Sequence, residues 1–205
     1  MSLNEWRGRH AAQLVDPVRS QAKVVFVGDS ITQGWAESPA YLAEFGRYHP
    51  LCLGIGGDQT QHVLWRLADG ALAGVPARVV VILIGVNNLG NGHSPEQTFR
   101  GVRAVVRRVE RDLPAASLLL LCILPAGEAP SDPLREQIQL TNRRLPALGS
   151  QRVTVLDVGG VFLDADERIT PELMADFLHP TALGYTRLTR AVAPELARRL
   201  AAAAR

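Results

Sequence analysis

Several features common in other protein classes are rare or missing in this sequence of 205 residues. Lys23 is the only lysine among 22 basic side chains, and the arginines are scattered along the chain, so no basic stripe typical of a nucleic-acid-binding protein is evident. The formal net charge of +2 is too small to favour or exclude most other partners. No nucleic-acid partner is therefore predicted.

Long hydrophobic runs are also missing. The longest spans residues 118–124, far short of the roughly 20 residues that a membrane-spanning helix needs. The first six residues have neither the basic start nor the apolar centre of a signal peptide. The sequence therefore predicts a cytoplasmic protein without a membrane span, provided that no leader has been removed.

Cysteine is nearly absent, and the two that occur lie far apart. Cys52 and Cys122 sit in apolar, strand-like segments with no His or Cys neighbour at metal-ligand spacing. Such cysteines more often behave as small buried hydrophobic residues than as a disulfide or a metal site. Neither a disulfide nor a metal site is predicted from them.

What the chain does have is a regular alternation of strand and helix patterns. Hydrophobic residues make up 47% of the sequence, and a chain of this length can bury about 70% of its unfolded surface. Strands are predicted at 23–27, 49–55, 78–84, 117–124 and 152–157, and helices at 5–15, 35–45, 61–67, 95–112, 134–148 and 181–203. This order predicts an α/β fold in which a five-stranded parallel sheet has helices on both faces. Residues 1–205 are expected to form one domain.

The first predicted strand ends in a segment with polar chemistry. Residues 24–27 are apolar and mostly β-branched, as in a strand buried on both faces, and Gly28, Asp29 and Ser30 follow. Ligands of open α/β sheets bind beyond the carboxyl ends of the strands, so Ser30 is a candidate nucleophile. The alternative is that Ser30 only caps the helix that follows, and Asp29 is expected to bond its own turn.

Similar small-residue turns follow the next two strands, at 56–58 and 85–88. In a parallel sheet all these turns lie at the same edge. A further polar segment, 176–179, precedes the last helix and carries Asp176 three residues before His179. A serine nucleophile needs a base, and the base needs a carboxylate that fixes its tautomer, so these residue types predict a Ser30–His179–Asp176 arrangement.

Hydrolysis of an acyl bond also needs hydrogen-bond donors for the developing oxyanion. The backbone N–H groups of Ser30 and Gly57 and the side-chain amide of Asn87 could supply three. Glycine suits a close approach of the backbone to a ligand. The sequence thus predicts an oxyanion hole from Ser30, Gly57 and Asn87.

These blocks, in this order and spacing, resemble the four blocks of the SGNH (GDSL-type) hydrolases. Residues 54–67 (GIGGDQTQHVLWRL), 124–128 (LPAGE) and 176–179 (DFLH) are similar to the platelet-activating-factor acetylhydrolase branch of that family. The resemblance extends from about Trp6 to Leu196.

The resemblance implies a three-layer, flavodoxin-like fold that uses no metal and no cofactor. It implies Ser30 as nucleophile, His179 as general base and Asp176 as its orienting partner, with removal of a short acyl group, acetyl in that branch, from an ester. Ile31 and Leu178 flank the nucleophile and the base and are predicted to line the substrate pocket. The branch also implies a homodimer.

Two other functions remain open from the sequence. One is a long-chain acyl thioesterase or lysophospholipase of the same superfamily, and the other is a non-catalytic binding protein that retained the fold. Outside the site, Arg66 and Arg135 are expected to be solvated, and Trp65 and Leu67 are expected to lie in the core.

Overall fold

The computed structural model describes residues 1–202. Its sheet has five parallel strands in the order β2-β1-β3-β4-β5, which is the flavodoxin-like order. The strands are β1 (Val24–Gly28), β2 (Leu51–Gly54), β3 (Val79–Leu83), β4 (Ser117–Leu121) and β5 (Val153–Leu156). The predicted fold class is therefore confirmed, whereas the organisation of 1–205 as one domain stays a prediction.

Eight α-helices connect and cover these strands within the described residues. They are α1 (Leu3–Leu14), α2 (Ser30–Glu37), α3 (Pro39–Phe45), α4 (Thr60–Ala68), α5 (Val86–Gly90), α6 (Pro95–Asp112), α7 (Pro133–Asn142) and α8 (Ala182–Ala202). Short 3₁₀ turns occupy Pro17–Ser20, Gly46–Tyr48, Leu145–Leu148 and Gly159–Phe162. Over this part of the chain, none of the helices combines the length and the apolar character needed to cross a bilayer.

The sheet is buried on both faces because its central strands are apolar at every position. β1 and β3 are buried throughout, and side chains of successive strand residues point to opposite faces. Val24 and Phe26 of β1 belong to one core with α2, α3 and α8, whereas Val25 and Val27 belong to a second core with α4 and α6. The result is the predicted three-layer arrangement.

Two side-chain hydrogen bonds attach α8 to α2. The indole N–H of Trp35 donates to Thr189 Oγ1 at 2.8 Å, and the Tyr185 hydroxyl donates to the carbonyl of Ile31 at 3.1 Å. Both contacts are buried, so a hydrogen bond lost here costs more than one at the surface. They tie the helix that begins after His179 to the helix that begins at Ser30.

Two predicted helices and one predicted turn differ from the structure. The helix predicted at 35–45 is two helices that meet at Ser38, which is extended (ψ 142°) before Pro39, as residues before proline commonly are. The predicted turn after β3 contains α5. The helix predicted at 134–148 ends at Asn142 and is followed by a 3₁₀ turn that contains Pro146. The predicted end of the last helix, Ala203, lies outside the described residues.

Gly28 ends β1 where there is no space for a side chain. A Cβ at this position would lie 2.0 Å from Thr32 Oγ1 and 2.4 Å from the carbonyl oxygen of Leu83. We expect Gly28→Ala to lower the free energy of unfolding by about 3 kcal/mol through overpacking, as measured by urea denaturation. Gly8→Ala is the control, since a Cβ at Gly8 of α1 would meet nothing within 4 Å and should stabilise the helix slightly. Equal stability of the two variants would contradict this prediction.

Candidate active site

Ser30 lies at the carboxyl end of β1, beside the point where the strand order reverses. It is the first residue of α2, and Asp29 is the N-cap, with Asp29 Oδ1 accepting the backbone N–H of Ile31 at 3.0 Å. The interpretation of Ser30 as the capping residue is therefore wrong. Its hydroxyl is directed elsewhere, because Ser30 Oγ lies 2.9 Å from His179 Nε2.

The other imidazole nitrogen contacts Asp176. His179 Nδ1 lies 2.6 Å from Asp176 Oδ2. A carboxylate can only accept this hydrogen bond, so Nδ1 carries the proton and Nε2 is left as an acceptor for the Ser30 hydroxyl. The structure thus brings Ser30, His179 and Asp176 together in one hydrogen-bonded chain.

The backbone between Asp176 and His179 is unusual. Phe177 has φ 58°, a left-handed conformation that costs about 1 kcal/mol or more outside glycine. Around this turn the amides of Leu178 and His179 both donate to Asp176 Oδ1, at 3.1 and 2.7 Å. Burial alone would raise the pKa of Asp176, but the hydrogen bonds from the side chain and backbone of His179 and from Leu178 outweigh it and lower the pKa.

Three donors were predicted to form the oxyanion hole. The backbone N–H groups of Ser30 and Gly57 have no acceptor within residues 1–202, and Gly57 is exposed with φ 78°. Asn87 Nδ2 donates one proton to the carbonyl of Asp58 at 2.9 Å, which leaves its second proton available. Ser30 and Asn87 lie in the first turns of α2 and α5, which follow β1 and β3, and Gly57 lies in the turn that follows β2.

A buried ion pair between Arg66 and Asp58 lies next to the Gly57 turn. Arg66 Nε and Nη2 donate to Asp58 Oδ2 at 2.9 and 2.6 Å, and Trp6 Nε1 donates to Asp58 Oδ1 at 2.6 Å. Arg66 Nη2 also reaches the carbonyl of Leu53 at 2.9 Å. Because the Asp58 carbonyl orients Asn87, this ion pair links α1 and α4 to the predicted oxyanion hole.

Some sequence-based expectations about single residues were wrong. Arg66 and Arg135 are buried, with 1% and 2% of their surface exposed, whereas Trp65 is 49% exposed. The functional interest of Trp6, Asp58 and Arg66 was missed. The sequence did contain a signal for Arg66, because this charged residue lies on the same side of α4 as the apolar residues Val63 and Leu67.

The two predicted pocket residues differ in exposure. Ile31 is 2% exposed and packs in the core, whereas Leu178 is half-buried against the same core. A cavity of about 600 Å³ lies close by, lined by Met1, Ser2, Leu3, Trp6, Gly56, Gly57 and His62. Their roles in binding stay predictions.

Other surface features lie apart from Ser30. A cavity of about 640 Å³ is lined by Cys122 and Asp157 among others, and neither cysteine forms a disulfide in the described residues. A shallow groove of about 280 Å³ on α6 gathers Arg100, Arg103, Arg107, Arg108 and Arg111, a local basic surface that the scattered arginines of the sequence did not reveal. Across residues 1–202, no group of three or more His, Cys, Asp or Glu side chains could hold a metal ion.

Comparison with family models assigns the chain to a class of proteins. The family model of the GDSL-like lipase/acylhydrolase family matches residues 26–187. The chain therefore belongs to the GDSL-like lipase/acylhydrolase family, a family of esterase-like hydrolases, and the family resemblance predicted from its sequence blocks is confirmed.

Curated relatives narrow the likeness within that family. The chain is 38% identical over 198 residues to human platelet-activating factor acetylhydrolase IB subunit alpha1, covering 96% of this chain and 84% of the relative. It is 36% identical over 191 residues to the rat alpha2 subunit, covering 91% and 81%.

Solved structures show the same fold. A GDSL-like lipase from Bacteroides thetaiotaomicron superposes with a TM-score of 0.76 at 22% identity, covering 95% of this chain and 97% of the other. A catalytic mutant of an acetylxylan esterase from Geobacillus stearothermophilus superposes with a TM-score of 0.67 at 18% identity, covering 88% and 94%.

Asp29 is the one carboxyl group of the site that is buried without a cation bonded to it. Burial raises its pKa to about 7, against the hydrogen bond from Ile31 and with a further upward contribution from Asp58. The folded protein therefore keeps a proton on Asp29 up to about pH 7, whereas the unfolded chain loses it near pH 4. Between these pH values Asp29 ionises in the unfolded chain but not in the folded protein. The free energy of unfolding therefore falls as the pH rises.

Asp29→Asn removes this titration and retains an oxygen that can accept the Ile31 amide. We expect the free energy of unfolding of the parent protein to fall by about 2–3 kcal/mol between pH 5 and pH 8 relative to the variant. Urea denaturation at both pH values measures the difference, and the contribution of Asp176 cancels because both proteins contain it. An unchanged gap at the two pH values would show that Asp29 ionises normally.

Proposed function

We propose that the protein is a serine carboxylic-ester hydrolase that removes a short acyl group, acetyl in the first instance. The observation that carries the proposal is the contact of Ser30 Oγ with His179 Nε2 at 2.9 Å while His179 Nδ1 lies 2.6 Å from Asp176. A serine hydroxyl needs this pair to become a nucleophile.

In the acylation step, Ser30 Oγ attacks the ester carbonyl carbon and His179 Nε2 takes the hydroxyl proton. Asp176 holds the Nδ1–H tautomer and stabilises the imidazolium that forms. The negative charge develops on the carbonyl oxygen, which accepts hydrogen bonds from the amides of Ser30 and Gly57 and from Asn87 Nδ2.

Collapse of the tetrahedral intermediate breaks the bond to the leaving alcohol. The imidazolium of His179 gives its proton to that alkoxide, so the alcohol leaves neutral and the acyl group stays on Ser30. Water then attacks the acyl-enzyme with His179 again as base, the carboxylic acid is released, and Ser30 regains its proton. No cofactor takes part in this proposal.

The acyl preference rests on the relatives and on the two predicted pocket residues. The curated relatives include platelet-activating factor acetylhydrolases, and the solved structures with the same fold include an acetylxylan esterase. Both names describe removal of an acetyl group by water. Ile31 and Leu178, which follow the nucleophile and precede the base, are proposed to limit the acyl group. Only 2% of the Ile31 surface is exposed, so this residue offers little surface for contact with a long acyl chain.

One observation favours a second candidate, a long-chain thioesterase or lysophospholipase. The cavity of about 600 Å³ beside Gly56 and Gly57 carries apolar side chains from Met1, Leu3 and Trp6. Its volume lies within the range of sites for drug-sized ligands. Rates for nitrophenyl esters with acyl chains of increasing length distinguish the two, since acetyl specificity predicts a steep fall in rate with chain length.

Homodimer formation and a cytoplasmic location are also proposed, from the resemblance to the acetylhydrolase branch. Sedimentation analysis of the purified chain decides the first. A non-catalytic binding function is the remaining alternative, and its support would be failure of the protein to react with any ester or organophosphate probe.

Ser30→Ala removes the proposed nucleophile. We expect kcat for nitrophenyl acetate to fall on the order of 10⁶-fold, with an unchanged melting temperature because the hydroxyl caps nothing. Ser20→Ala, in the 3₁₀ turn before β1, is the matched control and should keep parental activity. A Ser30→Ala variant that keeps most of the activity would show that another residue is the nucleophile.

Asn87→Ala removes the only side-chain donor proposed for the oxyanion. We expect kcat to fall about 10²- to 10³-fold with little change in KM, because the lost hydrogen bond strengthens only in the transition state. Asn91→Ala is the control, since its side chain bonds the Asn87 carbonyl at the exposed end of α5. A rise in KM alone for Asn87→Ala would mean that this residue binds the ground state.

A further inference from the structure

Arg135 is a buried cation with an unusual set of partners. It lies on α7, is 2% exposed, and forms no ion pair within residues 1–202. Its guanidinium donates instead to three backbone carbonyls, those of Ala126 at 3.2 Å, Gly127 at 2.6 Å and Glu167 at 3.0 Å. Burial of a guanidinium is costly unless its donors are satisfied, and it lowers the pKa of Arg135.

One of these carbonyl groups belongs to Gly127, which is hydrogen-bonded to the backbone between Asp176 and His179. The amide of Gly127 donates to the carbonyl of Phe177 at 2.9 Å, and Phe177 lies between Asp176 and His179. A short path of hydrogen bonds therefore runs from the Arg135 guanidinium through the Gly127 residue to the turn that carries His179.

The backbone around this path is strained and tightly confined. In the described residues only His49, Glu167 and Phe177 have positive φ without being glycine, and two of them bond directly to Arg135 or Gly127. Such conformations persist only where their surroundings fix them. Gly127 itself has φ 84°, and a Cβ there would lie 2.3 Å from Asp132 Cγ.

The proposed base cannot be held in place by packing alone. The side chains of His179 and Asp176 are 41% and 57% exposed, so few neighbours confine the imidazole. Its position depends on the backbone turn at Phe177, and the Gly127 amide is the donor that fixes the carbonyl of that turn.

We propose that Arg135 is a positioning residue that holds the 176–179 turn, so that His179 Nε2 stays within hydrogen-bond distance of Ser30 Oγ. Arg135 touches no reacting atom. Its catalytic consequence rests on the proposed hydrolase function, whereas its effect on the turn does not.

The test compares Arg135→Met and Arg135→Lys with Arg152→Met. Arg152 is a matched control because it also donates to three carbonyls, those of Glu110, Leu113 and Ala116, but at the amino ends of β4 and β5, the sheet edge opposite Ser30. We expect kcat for nitrophenyl acetate to fall about a hundredfold in Arg135→Met and about tenfold in Arg135→Lys, with KM little changed, since small misplacements of a base cost this much. Arg152→Met should keep the parental kcat at temperatures below its melting transition.

A second readout does not depend on activity. The proton of His179 Nδ1, shared with Asp176, should give a downfield proton NMR signal that disappears in His179→Gln. We expect this signal to be lost or broadened in the Arg135 variants and retained in Arg152→Met. Arg135→Lys keeps the buried charge. If Arg135→Met does not fold, Arg135→Lys is the variant compared with Arg152→Met.

The two proposals fail in different ways. A parent protein that hydrolyses no ester overturns the proposed function, and the NMR signal then still decides the role of Arg135. An active parent whose Arg135→Lys variant keeps both the parental kcat and the parental signal overturns the positioning role. Equal losses of kcat in Arg135→Met and Arg152→Met would also overturn it, since both would then act through stability.

Discussion

The hydrogen bond between Ser30 Oγ and His179 Nε2 joins residues 149 positions apart in the sequence. The rest of the structure makes this contact possible. Ser30 is fixed at the end of β1, a strand buried throughout, and α8 begins just after His179 and is tied to α2 by Trp35 and Tyr185. Contacts between these two helices therefore bring together the segments that carry the hydroxyl and the imidazole, and the exposed site residues depend on buried side chains behind them.

Two buried arginines support the two sides of the site in different ways. Arg66 pairs with the buried carboxylate of Asp58 and so stabilises the Gly57 turn and the Asp58 carbonyl that orients Asn87. Arg135 has no carboxylate partner within residues 1–202 and donates to carbonyl oxygens of the loop beside the 176–179 turn. A buried ion pair is weak evidence for stability, because removing charges from water offsets their attraction. In both places the geometric effect, fixing loops that are poor in regular structure, is the better physical reason for a guanidinium.

The sequence predicted the elements whose signals are local. Strand positions, the parallel sheet and the start of α6 at Pro95 follow from the periodicity of apolar residues. Three of the four site blocks were found because each follows a strand end, and the fourth because Asp176 and His179 lie just before the last helix. The burial of Arg66 and Arg135 could not be predicted this way, since arginine is mostly exposed and only the folded chain shows which carbonyl groups, such as that of Leu53, lie within reach. The prediction that Trp65 lies in the core was wrong for the opposite reason. Val63 and Leu67 form the buried side of α4, and the apolar side chain of Trp65 lies on the exposed side.

The distribution of exposure across the site has a physical rationale. The proposed oxyanion donors would need to be rigid before charge develops, because preorganised dipoles cost no reorganisation in the transition state. The Gly57 turn and Asn87 accordingly rest on the fully buried Asp58. The proposed base, His179, has a different requirement, since in the proposed reaction it meets both the leaving alcohol and the incoming water. An imidazole open to solvent satisfies that requirement only if its backbone is fixed from behind, and the hydrogen bond from Gly127 to the strained Phe177 fixes it without covering the ring.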